Sequence, residues 1–221
     1  MFVRVDERPR QQTPWATIAI ITICVATFLW LAIESADTRA QFLRHWGTVP
    51  AMLASDSVPL PLRALRLLTS LFIHADWLHL IGNLLFLMIF GLSAERVLGS
   101  RRFLTLFLLG GAFANLAGAL MLANTSAPII GSSGAVSAIV GAYFALFPRA
   151  RLGLVLPLGL FLEFVRIPAA ALIGFWILLQ VLFTFAGPAF GAIVWWTHIA
   201  GFAIGILFAL VARPGIARRL R

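Results

Sequence analysis

Apolar positions fall along this chain in runs of lipid-crossing length, separated by short polar stretches. A ~30 Å hydrocarbon core needs about 20 helical residues. Trp15–Ile33 is the first such run. It exceeds a signal-peptide core and lacks a small-residue cleavage site, which predicts a retained helix. The second covers about Leu67–Leu92 and is interrupted by His79 and Asn83; the third is Phe103–Ala123. The fourth, about Gly131–Phe147, is short and opens on a Gly-Ser cluster. Pro168–Ala186 and Val194–Val211 are the fifth and sixth. Leu152–Phe164 is apolar but short, and it holds Gly153, Pro157, Gly159 and Glu163. A segment lying along the interface, or dipping in and out, is expected there. In the long connection Glu34–Arg66, the stretch Gln41–Leu53 mixes Phe42 and Trp46 with Arg44 and His45, suiting a short interfacial element.

Composition agrees with lipid as the solvent. Hydrophobic residues make up 61% and charged residues 11% of 221, against roughly 45–50% and 25% in a soluble domain. The net charge is +9, and all 17 basic residues are arginine. In a soluble protein that excess would suggest nucleic acid. Its placement gives another meaning. With six spans and a cytoplasmic N-terminus, only Arg39, Arg44, Arg63 and Arg66 of the 17 arginines fall outside. The outer connections 124–130 and 187–193 carry no charge. This is the positive-inside pattern, and no nucleic-acid partner is needed to explain it. A seventh span through 152–164 would move the C-terminal arginines outside.

The expectation is an all-α membrane protein of six transmembrane helices with both termini cytoplasmic. It has a tail over 1–14, a membrane domain over 15–212 and a basic tail over 213–221. No linker, repeat or soluble domain is expected at either end, and no transit peptide is expected before the first span. A bacterial inner membrane is the expected location. Cys24 is alone and forms no intrachain disulfide.

Polar side chains at membrane depth are costly and mark functional sites by default. The candidates are His74, Asp76, His79, Asn83, Asn115, Ser132, Ser133, Ser137, Gln180 and His198. The cytoplasmic arginines serve as a ruler. His79 lies 17 residues before Arg96, Ser133 16 before Arg149, and His198 15 before Arg213. At 1.5 Å per residue these are roughly 25, 24 and 22 Å above the cytoplasmic rim. Asn83 is one turn deeper than His79, on the same face. Each has an ordinary reading too. Ser132 and Ser133 can cap the fourth helix, Asn83 can join helices, and Gly131 and Gly134 can serve turning and packing. Their coincidence in one layer on three same-direction helices favours a site.

A serine at a helix N-terminus and a histidine at the same height make a minimal nucleophile–base pair. His79 and Asn83 can donate to a developing oxyanion, with the Ser133 backbone N–H as a third donor. Asp76 lies nearer the outer surface and Glu163 on the opposite side, so the expectation is a dyad. Gly201 and Gly205 form a GxxxG facing a small-residue stripe at Ser137, Gly141 and Ala145, which would bring Ser133 and His198 within reach. A short fourth helix and uncharged outer loops suggest a cavity open to the outside. The loop Gly187–Trp196 suits a gate beside the fifth helix.

Three motifs, in order, resemble those of the rhomboid intramembrane serine proteases. His74-Ala75-Asp76-Trp77-Leu78-His79-Leu80-Ile81-Gly82-Asn83 is similar to the second-helix HxxxxHxxxN element. Gly131-Ser132-Ser133-Gly134 resembles GxSG, and His198 through Gly205 resembles HxxGxxxG. The resemblance spans about Trp15–Val211. It implies a rhomboid-like bundle with Ser133 as nucleophile, His198 as general base, and His79 with Asn83 stabilising the oxyanion. Gly131, Gly134, Gly201, Gly205 and His74 are supporting residues, and Glu95 matches a structural glutamate near the cytoplasmic end. Where many relatives carry an aromatic residue stacked on the histidine, this chain has Ser137. The implied activity is hydrolysis of membrane-spanning protein substrates near their outer ends, without metal or cofactor. An inactive rhomboid-like binder, a transporter lined by His79, Asn83 and His198, and a metal enzyme using His74, His79 and His198 are the alternatives. The last lacks HExxH. Oligomeric state is not legible.

Overall fold

The computed structural model describes residues 13–53, 55, 58–158, 161–186 and 195–220. Most of the expected N-terminal tail, residues 187–194 of the expected gate Gly187–Trp196, and Arg221 lie outside the described residues. The elements are α1 (Trp15–Ile33), α2 (Ala36–Trp46), α3 (Pro50–Leu53) and α4 (Leu60–Thr69), then a 3₁₀ turn, Ser70–Phe72. Next comes α5 (Trp77–Phe86), fused through a π-helical segment, Leu87–Gly91, to α6 (Leu92–Leu98). After a one-residue turn, α7 (Ser100–Thr105) is fused in the same way to α8 (Gly111–Met121) through Leu106–Gly110. Then follow α9 (Ser133–Leu146), strands β1 (Arg151–Leu158) and β2 (Phe161–Pro168), α10 (Ala169–Ala186) and α11 (Trp195–Leu220). Each expected apolar run is helical over most of its length. Trp15–Ile33, Trp77–Leu98, Ser100–Met121 and Trp195–Arg218 are long and apolar enough to cross a membrane; Ser133–Leu146 and Ala169–Phe185 are shorter.

Three stretches differ from expectation. The second run does not begin as one helix at Leu67, because α4 and the 3₁₀ turn end before His74 and the long helix starts at Trp77. Leu152–Leu158 and Phe161–Phe164, expected as a segment along the interface or dipping in and out of an all-α fold, belong to the two strands of an antiparallel hairpin, so the fold is not all-α. The hairpin register runs from Arg151↔Pro168 to Leu158↔Phe161. Pro157 and Gly159 break a helical period, and cross-strand pairing satisfies the backbone groups that lone strands would leave open. Pro157 is tolerated because each strand of a two-stranded sheet is an edge. Lastly, α11 continues beyond Val211 through Pro214 to Leu220.

The core centres on α9, where every residue from Gly134 to Tyr143 is buried. A helix apolar on all sides belongs in the middle of a bundle. Its 14 residues span roughly 21 Å, about 9 Å less than the ~30 Å core. The α9–α11 seam is made by absent side chains. A Cβ on Gly201 would strike the Gly134 carbonyl oxygen, one on Gly205 the Ala138 backbone, and one on Gly141 the Phe202 carbonyl. The small-residue seam on α9 therefore includes Gly134 and Ala138 beside the expected Ser137 and Gly141. At its far end the Ala145 carbonyl accepts from Arg213 at 3.2 Å.

At the opposite end of the second long helix, Glu95 is 2% exposed. Its carboxylate accepts from the Ala16 N–H at 3.0 Å, the Thr17 N–H at 2.8 Å and the Thr17 hydroxyl at 2.5 Å. Pro14, the residue before α1, offers no side-chain cap, so a carboxylate distant in sequence satisfies the orphan donors of that helix. Three arginines of the Glu34–Arg66 connection are similarly engaged. Arg39 donates to the Leu31 carbonyl, Arg63 to Val58 and Leu53, and Arg66 to His45.

Candidate active site

The turn that starts α9 is anchored from behind. Thr48 pairs with Ile129 in an isolated bridge, and the Gly131 N–H donates to the Ser70 carbonyl at 2.9 Å. The Ser70 hydroxyl meets Thr48 Oγ1 at 2.9 Å and accepts from Asn115 Nδ2 at 3.0 Å. Asn115, one of the candidates, thus supports the turn. Gly131 has φ +112°, a left-handed conformation suited to glycine. A Cβ there would also lie 2.5 Å from His79 Nε2.

Ser132 follows at the N-cap position with φ −76° and ψ 1°, outside the extended region usual for a cap, and makes no side-chain capping bond. Its hydroxyl lies 3.2 Å from His74 Nε2 instead. The capping reading of Ser132 is therefore replaced by a His74 contact. Ser133 is half-buried, whereas Ser132 and Gly134 on either side are buried. Its N–H belongs to the first helical turn, where no i−4 carbonyl is available.

His79 and Asn83 come from α5. Asp76 caps that helix, its carboxylate accepting from the His79 N–H at 2.8 Å. The Ala75 N–H points at His79 Nδ1 at 3.5 Å, a long contact that favours Nδ1 as acceptor and leaves Nε2 to carry the proton. Asn83 Nδ2 donates to the His79 carbonyl at 3.0 Å, and a primary amide keeps a second N–H.

His198 lies in the first turn of α11, 9% exposed. Its Nδ1 is 2.6 Å from Gln180 Oε1 on α10. The ring lies 6.2 Å from Trp176, tilted by 30°, and 6.0 Å from Trp195, nearly edge-on. Ser137 offers no ring, and its hydroxyl donates to the Ser133 carbonyl at 2.7 Å. The aromatic neighbours of His198 therefore come from α10 and the start of α11. Sequence reasoning noticed Gln180 without giving it a partner; its only signal was an amide inside an apolar run.

Two cavities meet at these residues. One of about 520 Å³ extends from Ser133 towards Asp76 and the Pro128–Ile130 connection. The other, about 250 Å³, runs past Gly82, Asn83, Phe86 and Trp176. His79, Ser133 and His198 line both. Either is large enough for several waters, with polar groups to hold them. A hydroxyl, an imidazole and further N–H donors around one water-sized space form an arrangement suited to acyl transfer. His74 stands outside it, behind Ser132 and beside the His79 ring at 5.2 Å, and Glu95 is committed to α1. Among the described residues no three His, Cys, Asp or Glu side chains gather as a metal site.

The family model described as Rhomboid domain matches residues 61–215. The chain belongs to the rhomboid family. This rhomboid is an integral, multi-pass membrane protein. It is similar to human Rhomboid-related protein 3, 33% identical over 135 residues, covering 60% of this chain and 32% of that protein. It is also similar to Rhomboid protease GluP of Bacillus subtilis (strain 168), 31% identical over 138 residues, 62% of this chain and 26% of the relative. A third relative, Inactive rhomboid protein 1 of Drosophila melanogaster, is 34% identical over 100 residues, 45% of this chain and 7% of that protein. The chain spans less than a third of the length of each of these curated relatives. Their names pair a protease with an inactive protein, so membership fixes the family and activity must be argued from the site.

Proposed function

We propose that this rhomboid is an intramembrane serine endopeptidase that hydrolyses peptide bonds in or near the transmembrane segments of other membrane proteins. Ser133 Oγ attacks the scissile carbonyl while His198 Nε2 takes its proton. The tetrahedral oxyanion is met by the Ser133 N–H, His79 Nε2–H and the free N–H of Asn83. His198 then protonates the leaving amine. The resulting ester is hydrolysed by water from the cavity, with His198 again serving as base. Gly131 and Gly134 shape the turn, while Gly201 and Gly205 hold the two helices at working distance. The proposed orientation is six spans with both termini cytoplasmic and the site opening to the other side, supported by the arginine distribution. The observation that carries the reading is that Ser133 and His198, from different helices, line the same two cavities as His79.

Purified protein is expected to react covalently with a fluorophosphonate probe and to cleave a reporter transmembrane substrate. Ser133→Ala is expected to lose both while keeping the wild-type melting temperature. Cleavage that survives Ser133→Ala would sink the reading. Substrate capture with neither labelling nor cleavage would replace it by binding, a reading kept in view by the inactive relative.

A further inference from the structure

We infer that Gln180 is a positioning residue for His198: its amide oxygen accepts from Nδ1–H and holds the ring in the tautomer whose Nε2 is free to take the Ser133 proton. This rests on the protease reading above. The contact is 2.6 Å between two buried side chains, Gln180 at 6% and His198 at 9% exposure. A neutral imidazole carries one N–H, and the partner at one nitrogen decides where it sits. An amide oxygen accepts only, so the proton resides on Nδ1 and the lone pair on Nε2.

Beside that contact on α10, Thr184 donates to the Gln180 backbone carbonyl at 2.8 Å. Trp176, one turn earlier on the same face of α10, has its ring 6.2 Å from the His198 ring. α10 thus presents a ring and an acceptor together to the base. The choice of amide follows from burial. A carboxylate could orient the ring as in soluble hydrolases, but a buried charge inside a membrane is costly. A neutral acceptor supplies the same hydrogen bond without that cost.

Gln180→Met and Gln180→Glu separate positioning from packing. Methionine keeps the volume and removes the acceptor; glutamate keeps the acceptor and adds a charge. With full-length protein in detergent micelles or liposomes, Gln180→Met is expected to lower kcat and the rate of fluorophosphonate labelling about 10–100-fold, part of the 10²–10⁴-fold worth of a general base. KM should stay within about twofold, since the substrate is not touched. Gln180→Glu is expected to label and cleave faster than Gln180→Met. A packing role requires the reverse order, because glutamate buries a charge and methionine does not. Labelling of wild type together with Gln180→Met equal to or faster than Gln180→Glu overturns the role of Gln180 alone. A wild-type protein that neither labels nor cleaves overturns the protease reading and this inference with it.

Discussion

Glu95 and His198 are both buried polar side chains in a largely apolar chain, yet their surroundings use them in opposite ways. Both Glu95 oxygens accept from the start of α1, from two backbone N–H groups and one hydroxyl. His198 commits one nitrogen to Gln180 and turns towards cavities it shares with Ser133. In a low dielectric, an unpaired polar group is expensive. A fully paired one is architecture, whereas one left facing a water-sized space is available for chemistry. The same contrast separates Ser70 and Asn115, bonded behind the turn, from the half-buried Ser133 in front of it.

That contrast can be broken at the seam joining the two halves of the site. Gly201→Val adds a branched side chain where even a Cβ would meet the Gly134 carbonyl oxygen. α11 must move away, and a shift of about 1 Å costs roughly 100-fold or more in rate. Fluorophosphonate labelling of monodisperse protein should fall by at least that factor, although neither Ser133 nor His198 is altered. Normal cleavage at normal expression would mean that the seam does not set their separation.

A smaller, opposite effect is expected at the architectural pole. Glu95→Ala leaves two N–H groups of α1 without partners, at about 1–3 kcal/mol each. A chain of this size should melt roughly 4–24 °C lower. Well below that temperature, labelling of Ser133 should proceed at the wild-type rate. If labelling disappears in the cold as well, Glu95 is coupled to the site and the division drawn above fails.

The smallest effect lies between the poles. Asp76→Ala removes the α5 cap, worth ~1 kcal/mol, and loosens the turn that carries His79. A decrease of a few-fold in kcat with a slight drop in melting temperature is expected, measured in parallel with wild type. A loss as large as that of Gly201→Val would mean that Asp76 takes part in the reaction.

The six apolar helices were legible because lipid permits few alternatives: a run of about 20 apolar residues has to close its backbone hydrogen bonds within itself. Asp76 as a cap was also within reach, since a capping bond spans three residues. The polar layer could be read as a depth, by counting from arginines along straight helices. Depth alone does not give rotation about a helix axis. Hence the α9 seam at Gly134 and Ala138, the Ser132–His74 contact and the partner of Gln180 were not foreseen. The hairpin was not foreseen because a short apolar run without clear periodicity does not distinguish a strand from a helix.

What the sequence determined by itself is therefore the medium and the set of apolar helices. Each follows from composition, run length and local spacing, quantities carried by contiguous residues. Only the tertiary structure decided which polar groups face each other. Ser133, His79 and His198 lie on three helices separated by long stretches of chain, and their meeting depends on close contacts at Gly201 and Gly205 and on the turn at Gly131. Glu95 and Gln180 acquire partners 79 and 18 residues away. Spacing along the chain does not encode such pairings, because they arise only once the helices have packed.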